Sequence, residues 1–168
     1  MKLAINDSGK FQNKGLGDKT TIFRTQVVEI PKYNSYYDVV VELEGKFYAI
    51  GEGSIDTSVS KKEEIHRVCT LYAITQMFDD LVYGGDIYLV TGAPIQTFEN
   101  ADHKQEFIDY MKGDLGGVIE IKVNNNPYVF NLKDIMLLPE SCGVVQVYRD
   151  RFANRLVGVI DWGGLQVN

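Results

Sequence analysis

The stretch MKLAINDSGKFQNKG at residues 1–15 decides the fold, because it predicts a strand that runs into a sharp polar turn. Residues 1–6 are mostly apolar and strand-forming, and a polar segment containing Gly9 follows them. The backbone can turn tightly at Gly9, the next amides can converge on an anion, and Lys14 can bring a positive charge to a phosphate. Taken alone, Asp7-Ser8-Gly9 after a strand is more typical of an ordinary hairpin turn.

Length and composition indicate one globular domain. The chain has 168 residues, of which 45% are hydrophobic and 24% charged. Its net charge of −6 argues against direct binding of nucleic acid or an anionic membrane. Cys69 and Cys142 have no CxxC partner, so neither a disulfide framework nor a zinc knuckle is indicated. We find no signal peptide and no apolar run of 18 residues, and therefore expect a cytoplasmic protein without a membrane partner.

Strands and helices alternate along the rest of the chain. The pattern predicts a β-rich segment over 20–30, two strands joined at Glu44-Gly45, and a turn at Gly51-Glu52-Gly53. Helices are predicted within 58–81 and over 101–112, the second with Asp102 as N-cap and Gly113 just beyond its end. Further predictions are a buried strand over 86–94, a hairpin over 116–132, a short strand ending at Pro139, a helix from Glu140 or Ser141, and a strand over 155–161. This order predicts an α/β fold with a mixed sheet.

An acidic residue ends three of the predicted strands, where α/β sheets usually bind ligands. These residues are Asp7, Glu140 and Asp161. Each has a structural explanation as well, because Glu140 begins a helix and Asp161 precedes the flexible pair Gly163-Gly164. His66 and His103 lie in predicted helices without a second ligand at metal spacing, and a surface or half-buried structural role is expected for both.

Taken together and in this order, the three motifs resemble those of the actin-like ATPases. The resemblance is closest to the ParM-like (StbA) plasmid-segregation proteins, which have an actin-like N-terminal domain. DSGKFQNK at residues 7–14 is similar to the family's first phosphate loop, with Asp7 and Lys14 at the family's spacing. VIDWGGLQVN at 159–168 resembles the second phosphate loop, although Trp162 and Asn168 depart from its usual pattern.

The fold that this resemblance implies is an RNase H-like, actin-type domain. It is a mixed β-sheet flanked by helices and forms one half of the actin, Hsp70 and sugar-kinase architecture. The resemblance implies an actin-like domain I at residues 1–158. Residues 159–168 would be the first strand and turn leading into a second actin-like domain that is absent from this chain.

The resemblance also implies a site. Catalysis would depend on Glu140, which orients the attacking water. Phosphate binding would involve Asp7, Ser8, Gly9, Lys10, Lys14, Gly163 and Gly164. Mg²⁺ would be held by Asp7, through water, and by Asp161.

The implied function is ATP hydrolysis coupled to filament assembly for plasmid segregation. The cofactors would be ATP or GTP with Mg²⁺, and the partners would be further copies of the protein, with DNA reached only through an adaptor. The isolated chain is expected to be inactive, since it lacks the second half. Two alternatives remain open: a non-enzymatic module that binds or caps filaments, and another superfamily member such as a sugar or acetate kinase or a chaperone ATPase.

Overall fold

The computed structural model describes residues 1–55, 63–140 and 142–153, which contain nine strands and five α-helices. The strands are β1 (Lys2–Ser8), β2 (Gln12–Leu16), β3 (Thr20–Arg24), β4 (Gln26–Ile30), β5 (Val40–Leu43), β6 (Lys46–Ile55), β7 (Asp86–Ala93), β8 (Val118–Val123) and β9 (Asn126–Pro139). The helices are α1 (Glu64–Met77), α2 (Ile95–Glu99), α3 (Ala101–Lys112), α4 (Cys142–Val147) and α5 (Arg149–Phe152), with a 3₁₀ segment at Asp79–Tyr83. The predicted α/β class is confirmed. None of these helices is long and apolar enough to cross a membrane.

All the described strands belong to one mixed sheet in the order β3-β2-β1-β7-β9-β8-β5-β6-β4. Strands β1, β7 and β9 are parallel to one another, and every other pairing is antiparallel. Because β1, β7 and β9 are adjacent, their carboxyl ends meet at one edge of the sheet. The first predicted phosphate loop, residues 7–14, and Glu140 both lie at this edge.

Strand β9 is longer than its sequence pattern predicts. We expected a hairpin strand and then a separate short strand, but residues 126–139 form one strand. Its first part pairs antiparallel with β8, and from Asn131 onwards it pairs parallel with β7. The strand changes partner without a turn, so the sequence contains no break that would mark the change.

The segment 20–30, predicted to be β-rich, forms two strands and not one. Thr25 separates β3 from β4, and these two strands lie at opposite ends of the sheet order. Helix α1 contacts both β3 and β4, so the sheet curls around this helix. A change of direction at a buried threonine leaves no turn signal in the sequence.

Helix α1 is buried along most of its length, and its helical apolar spacing was correctly predicted. The helix begins at Glu64, and Ser60, which has capping-box spacing with Glu63, lies outside the described residues. Arg67 fixes the helix to the β5–β6 turn by donating two hydrogen bonds to the Glu44 carboxylate, at 2.8 and 2.6 Å. The guanidinium holds the pKa of Glu44 below its usual range. The Tyr48 hydroxyl donates to Glu64 at 2.5 Å, which ties the first turn of α1 to β6.

The tight turns largely follow the sequence. Glu44 and Gly45 have φ of 51° and 79°, as a two-residue hairpin turn requires, so this prediction is confirmed. The predicted turn at Gly51-Glu52-Gly53 was wrong, because these residues lie inside β6, which pairs with β4 through a register shift. Asn100, rather than the predicted Asp102, caps α3, since its side chain accepts from the amides of Asp102 and His103. The asparagine was overlooked because both residues are good N-caps.

Gly117 offers a test of the fold where β8 begins. Its φ is +111°, and a Cβ there would lie 2.8 Å from the Leu132 carbonyl oxygen of β9. We expect Gly117→Ala to lower the free energy of unfolding by about 3 kcal/mol, since it combines backbone strain with a clash that neither backbone can relieve. Chemical denaturation measures this change.

Gly116→Ala is the matched control. Gly116 also has a positive φ, of 64°, but a Cβ there meets nothing within 4 Å. We expect a loss of about 1 kcal/mol from conformation alone. Equal losses for the two variants would show that the close approach of residue 117 to β9 is not important for stability.

Candidate functional site

The candidate site lies where the parallel strands end. Asn6, Thr91 and Leu137 lie side by side on β1, β7 and β9. Asp7 follows this row on β1, and Glu140 comes just after β9. Adjacent strands are about 4.8 Å apart, so the two acidic residues are at the same edge, about 10 Å apart across the sheet. Asp7 and Glu140 therefore lie at the same edge of the sheet.

Asp7 and Lys14 face each other across the β1–β2 hairpin. They are direct partners in its antiparallel register, and both side chains are exposed on the same face. Neither side chain forms a hydrogen bond or ion pair with any residue that the structure describes. A carboxylate and an ammonium are thus both available to a ligand on this face.

The hairpin's tip is held in a fixed shape by a residue that the sequence analysis missed. The Thr25 hydroxyl donates to the Gly9 carbonyl oxygen at 2.5 Å, and the Thr25 amide donates to the Phe11 carbonyl oxygen at 3.1 Å. A Cβ on Gly9 would come within 2.7 Å of the Gln12 carbonyl oxygen, so the tip requires glycine here. Thr25 lies in the middle of a strand-like run, and nothing in the sequence distinguished it.

Lys10, at the same tip, is only 9% exposed. In the described part of the chain, no carboxylate pairs with its ammonium. A largely buried cation is stabilised by a counter-charge. Lys10 therefore adds a second positive charge at this hairpin that an anionic ligand could neutralise.

Ser8 points away from this face. Its side chain is 4% exposed, and its Oγ shares a hydrogen bond with His66 Nδ1 of α1 at 2.9 Å. The Ser8 hydroxyl is therefore bonded to α1, and its predicted phosphate contact would be made by its backbone. His66 is more deeply buried than we expected, with 2% exposure.

The Glu140 side chain extends from the end of β9 towards β7, at the edge where the parallel strands end. Its backbone amide donates to the Ala93 carbonyl oxygen of β7 at 3.0 Å, and its side chain is half-buried. A Cβ on Gly92 would lie 3.8 Å from Glu140 Cγ, so the glutamate side chain lies above β7, on the side of β9 that faces β1.

The second predicted loop lies outside the described residues. This applies to Asp161, Gly163 and Gly164, and also to Trp162 and Asn168. Within 1–55, 63–140 and 142–153, no three His, Cys, Asp or Glu side chains are grouped closely enough to hold a metal ion. The described half of the site is therefore the first loop and Glu140.

Comparison with known proteins agrees with this architecture. Residues 6–143 match the family model of the N-terminal domain of actin-like proteins. The chain is 31% identical to Alp12, whose filament structure superposes with a TM-score of 0.70 over 99% of this chain and 58% of Alp12. AlfA from a Bacillus subtilis plasmid, also solved as a filament, is 16% identical with a TM-score of 0.71 over 96% of this chain and 62% of AlfA.

A third solved structure is the archaeal actin homolog Ta0583, which is 15% identical with a TM-score of 0.70 over 96% of this chain and 53% of its own. These likenesses confirm the predicted actin-type fold. AlfA has also been solved as a filament bound to AMPPNP, and Ta0583 in complex with ADP. No curated protein matches the chain. The chain spans little more than half the length of the solved proteins that it resembles.

Proposed function

We propose that this chain, which belongs to the family of actin-like proteins and forms their N-terminal domain, is the phosphate-binding half of a filament-forming ATPase that segregates plasmid DNA. The remaining half of the nucleotide pocket would be a second actin-like domain, reached through residues 159–168. Acting alone, the domain would hold the nucleotide's phosphates but little of its base and ribose.

One observation carries this proposal: Asp7 and Lys14 face the same side of a hairpin at the edge where Glu140 lies. A phosphate chain needs positive charge, backbone donors and a carboxylate that can reach its metal ion. Lys14, Lys10 and the amides at Gly9 and Lys10 provide the first two, and Asp7 provides the third. The hydrogen bond from Thr25 to Gly9 would help to hold the loop in this conformation before any ligand arrives.

ATP with Mg²⁺ is the ligand that we propose for this loop. The support is the nucleotide in the solved AlfA and Ta0583 complexes, together with the fit of the residues here. Asp7 is exposed and has no partner among the described residues, so its carboxylate is available to hydrogen-bond the waters of a hydrated magnesium ion. When bound, Mg²⁺ would supply positive charge to the β- and γ-phosphate oxygens. Asp161 would serve the metal from the second loop.

Glu140 is the catalytic residue in this proposal. Its carboxylate would accept a hydrogen bond from a water molecule and aim that water at the γ-phosphorus. Lys10 and Lys14 would neutralise the charge that develops on the phosphate oxygens. The amides of Gly163 and Gly164 would hold the phosphates from the opposite side. Such a site works by positioning and by charge neutralisation.

Self-association is the second element of the proposed function. Alp12 and AlfA are both known as filaments. We propose that this protein also polymerises when it binds nucleotide. Since the net charge is −6, contact with plasmid DNA would require an adaptor protein.

Calorimetric titration with Mg-ATP tests the nucleotide assignment. We expect the full-length protein to bind Mg-ATP, and the isolated 168-residue chain to bind at least about tenfold more weakly, because a nucleotide pocket normally encloses most of its ligand. Absence of binding to the full-length protein would refute the assignment. Equal affinity for both proteins would show that the second half does not complete the pocket.

A further inference from the structure

We infer that His66 is a positioning residue for the first phosphate loop, residues 7–14, and that α1 holds this loop in its phosphate-binding shape through the imidazole. The inference rests on the proposed function, which places nucleotide phosphates on this loop. The sequence gives His66 no such role, because the histidine lies more than fifty residues from the loop and has no motif around it.

The contact between His66 and the loop is direct and shielded from water. His66 Nδ1 and Ser8 Oγ are 2.9 Å apart, and the two residues are only 2% and 4% exposed. Ser8 immediately precedes Gly9 and Lys10, whose amides are the proposed phosphate donors. Any rotation of the backbone at Ser8 would redirect those amides, so a bond that fixes the Ser8 side chain also restricts their orientation.

A second contact holds the base of the same hairpin. The Thr70 hydroxyl, one turn further along α1, donates to Asn6 Oδ1 at 3.0 Å. Asn6 in turn donates to Asn13 Oδ1 at 2.7 Å and to the Lys14 carbonyl oxygen at 3.2 Å. These contacts link α1 to both strands of the hairpin, and the contact between His66 and Ser8 is the one nearest the tip.

The network is incompletely satisfied, since it contains one buried donor that has no partner among the described residues. Asn13 is fully buried, and its Nδ2 already lacks a partner within the described residues. Removing the imidazole would leave the Ser8 hydroxyl buried without the bond to Nδ1. Since an unsatisfied buried hydroxyl is unfavourable, the loop would shift until Ser8 finds another partner.

Helix α1 is a suitable reference for this positioning because its other side is fixed independently. Arg67 is bound to Glu44, and Glu64 accepts from Tyr48. These contacts lie on β5, β6 and their turn, away from β1 and β2. Thr25, which directly follows β3, donates a hydrogen bond to Gly9 at the loop tip. The loop is therefore held by Thr25 as well as by α1.

The test compares His66→Leu with His66→Asn in the full-length protein. Leucine fills much of the space but cannot bond to Ser8, whereas the asparagine amide can place a nitrogen or oxygen near the position of Nδ1. We expect His66→Leu to weaken Mg-ATP binding about tenfold, the equivalent of one buried hydrogen bond, and His66→Asn to recover most of this affinity. Affinity for adenosine, which has no phosphates, should not change.

Two further variants keep the test decisive. Ser8→Ala removes the other partner, should fold even if His66→Leu does not, and should weaken Mg-ATP binding by a similar factor, with no further loss in the double variant. His103→Leu on the exposed surface of α3 is the control and should bind as wild type does.

Several outcomes would overturn the inference. They are unchanged Mg-ATP affinity in His66→Leu or Ser8→Ala, an equal loss for adenosine and ATP, and no recovery by asparagine. Failure of the wild-type protein to bind Mg-ATP would instead refute the proposed function, and the inference with it. Wild-type binding with no effect of the variants would refute the inference alone.

Discussion

Replacing Glu140 with glutamine in the full-length protein is expected to slow ATP hydrolysis about 100-fold, because the amide cannot activate and orient water as the carboxylate does. Glutamine keeps the shape of the side chain that lies above Gly92 at the edge of the sheet. It leaves Lys10, Lys14 and the loop amides in place. Mg-ATP affinity and filament assembly should therefore change little, and filaments should persist longer before they disassemble.

Steady-state phosphate release and sedimentation of filaments measure these two effects separately. Glu120→Gln is the matched control, since Glu120 is an exposed glutamate on β8, away from the carboxyl ends of β1, β7 and β9. Phosphate release at the wild-type rate in Glu140→Gln would contradict the catalytic role. Loss of Mg-ATP binding in the same variant would indicate that Glu140 supports the pocket and does not act on the water.

Replacing Lys14 with alanine is expected to weaken Mg-ATP binding about 30-fold. A hydrogen bond to a charged group contributes about 1.5–3 kcal/mol, and the phosphates would lose one such donor. The hairpin itself should remain folded, because the exposed Lys14 side chain has no partner in the described part of the chain. The loss should be larger for ATP than for adenosine.

Isothermal titration at one fixed salt concentration measures this loss, since salt screens the attraction between Lys14 and the phosphates. Lys32→Ala removes an exposed lysine between β4 and β5 and serves as the control for net charge. If Lys14→Ala binds Mg-ATP as tightly as the wild type, the hairpin is not the phosphate loop. If the two lysine variants lose equal affinity, the effect comes from overall charge and not from a contact.

The sequence predicted the elements whose signals are local. The β5–β6 turn at Glu44-Gly45 and the end of α3 at Gly113 are confirmed because each requires a positive φ that the local residues reveal. The alternation of Val118–Val123 predicted strand β8 for a similar reason, since every second side chain is buried. Where packing between distant segments decided the structure, the sequence was less informative. The division of 20–30 at Thr25 and the continuous strand β9 both depend on strands that come much later in the chain.

The candidate site shows the same limit. Asp7, Lys14 and Glu140 were predicted as site residues because strand-end acids and a nearby lysine form a pattern that can be read along the chain. The supporting residues Thr25 and His66 were not identified, because each acts on the loop through a contact formed only in the folded protein. Ser8 was predicted to bind phosphate together with its neighbours, although the alternation of side chains along β1 directs its hydroxyl towards α1. Residues that shape a loop from a distance have no local signature.

Sedimentation of the full-length protein with and without Mg-ATP tests the central claim, that nucleotide binding at this hairpin drives filament assembly. We expect the wild-type protein to pellet as filaments with Mg-ATP and to stay in the supernatant without nucleotide. The Lys14→Ala variant should pellet only at a much higher Mg-ATP concentration. A pelleted fraction that is the same with and without Mg-ATP would contradict the claim.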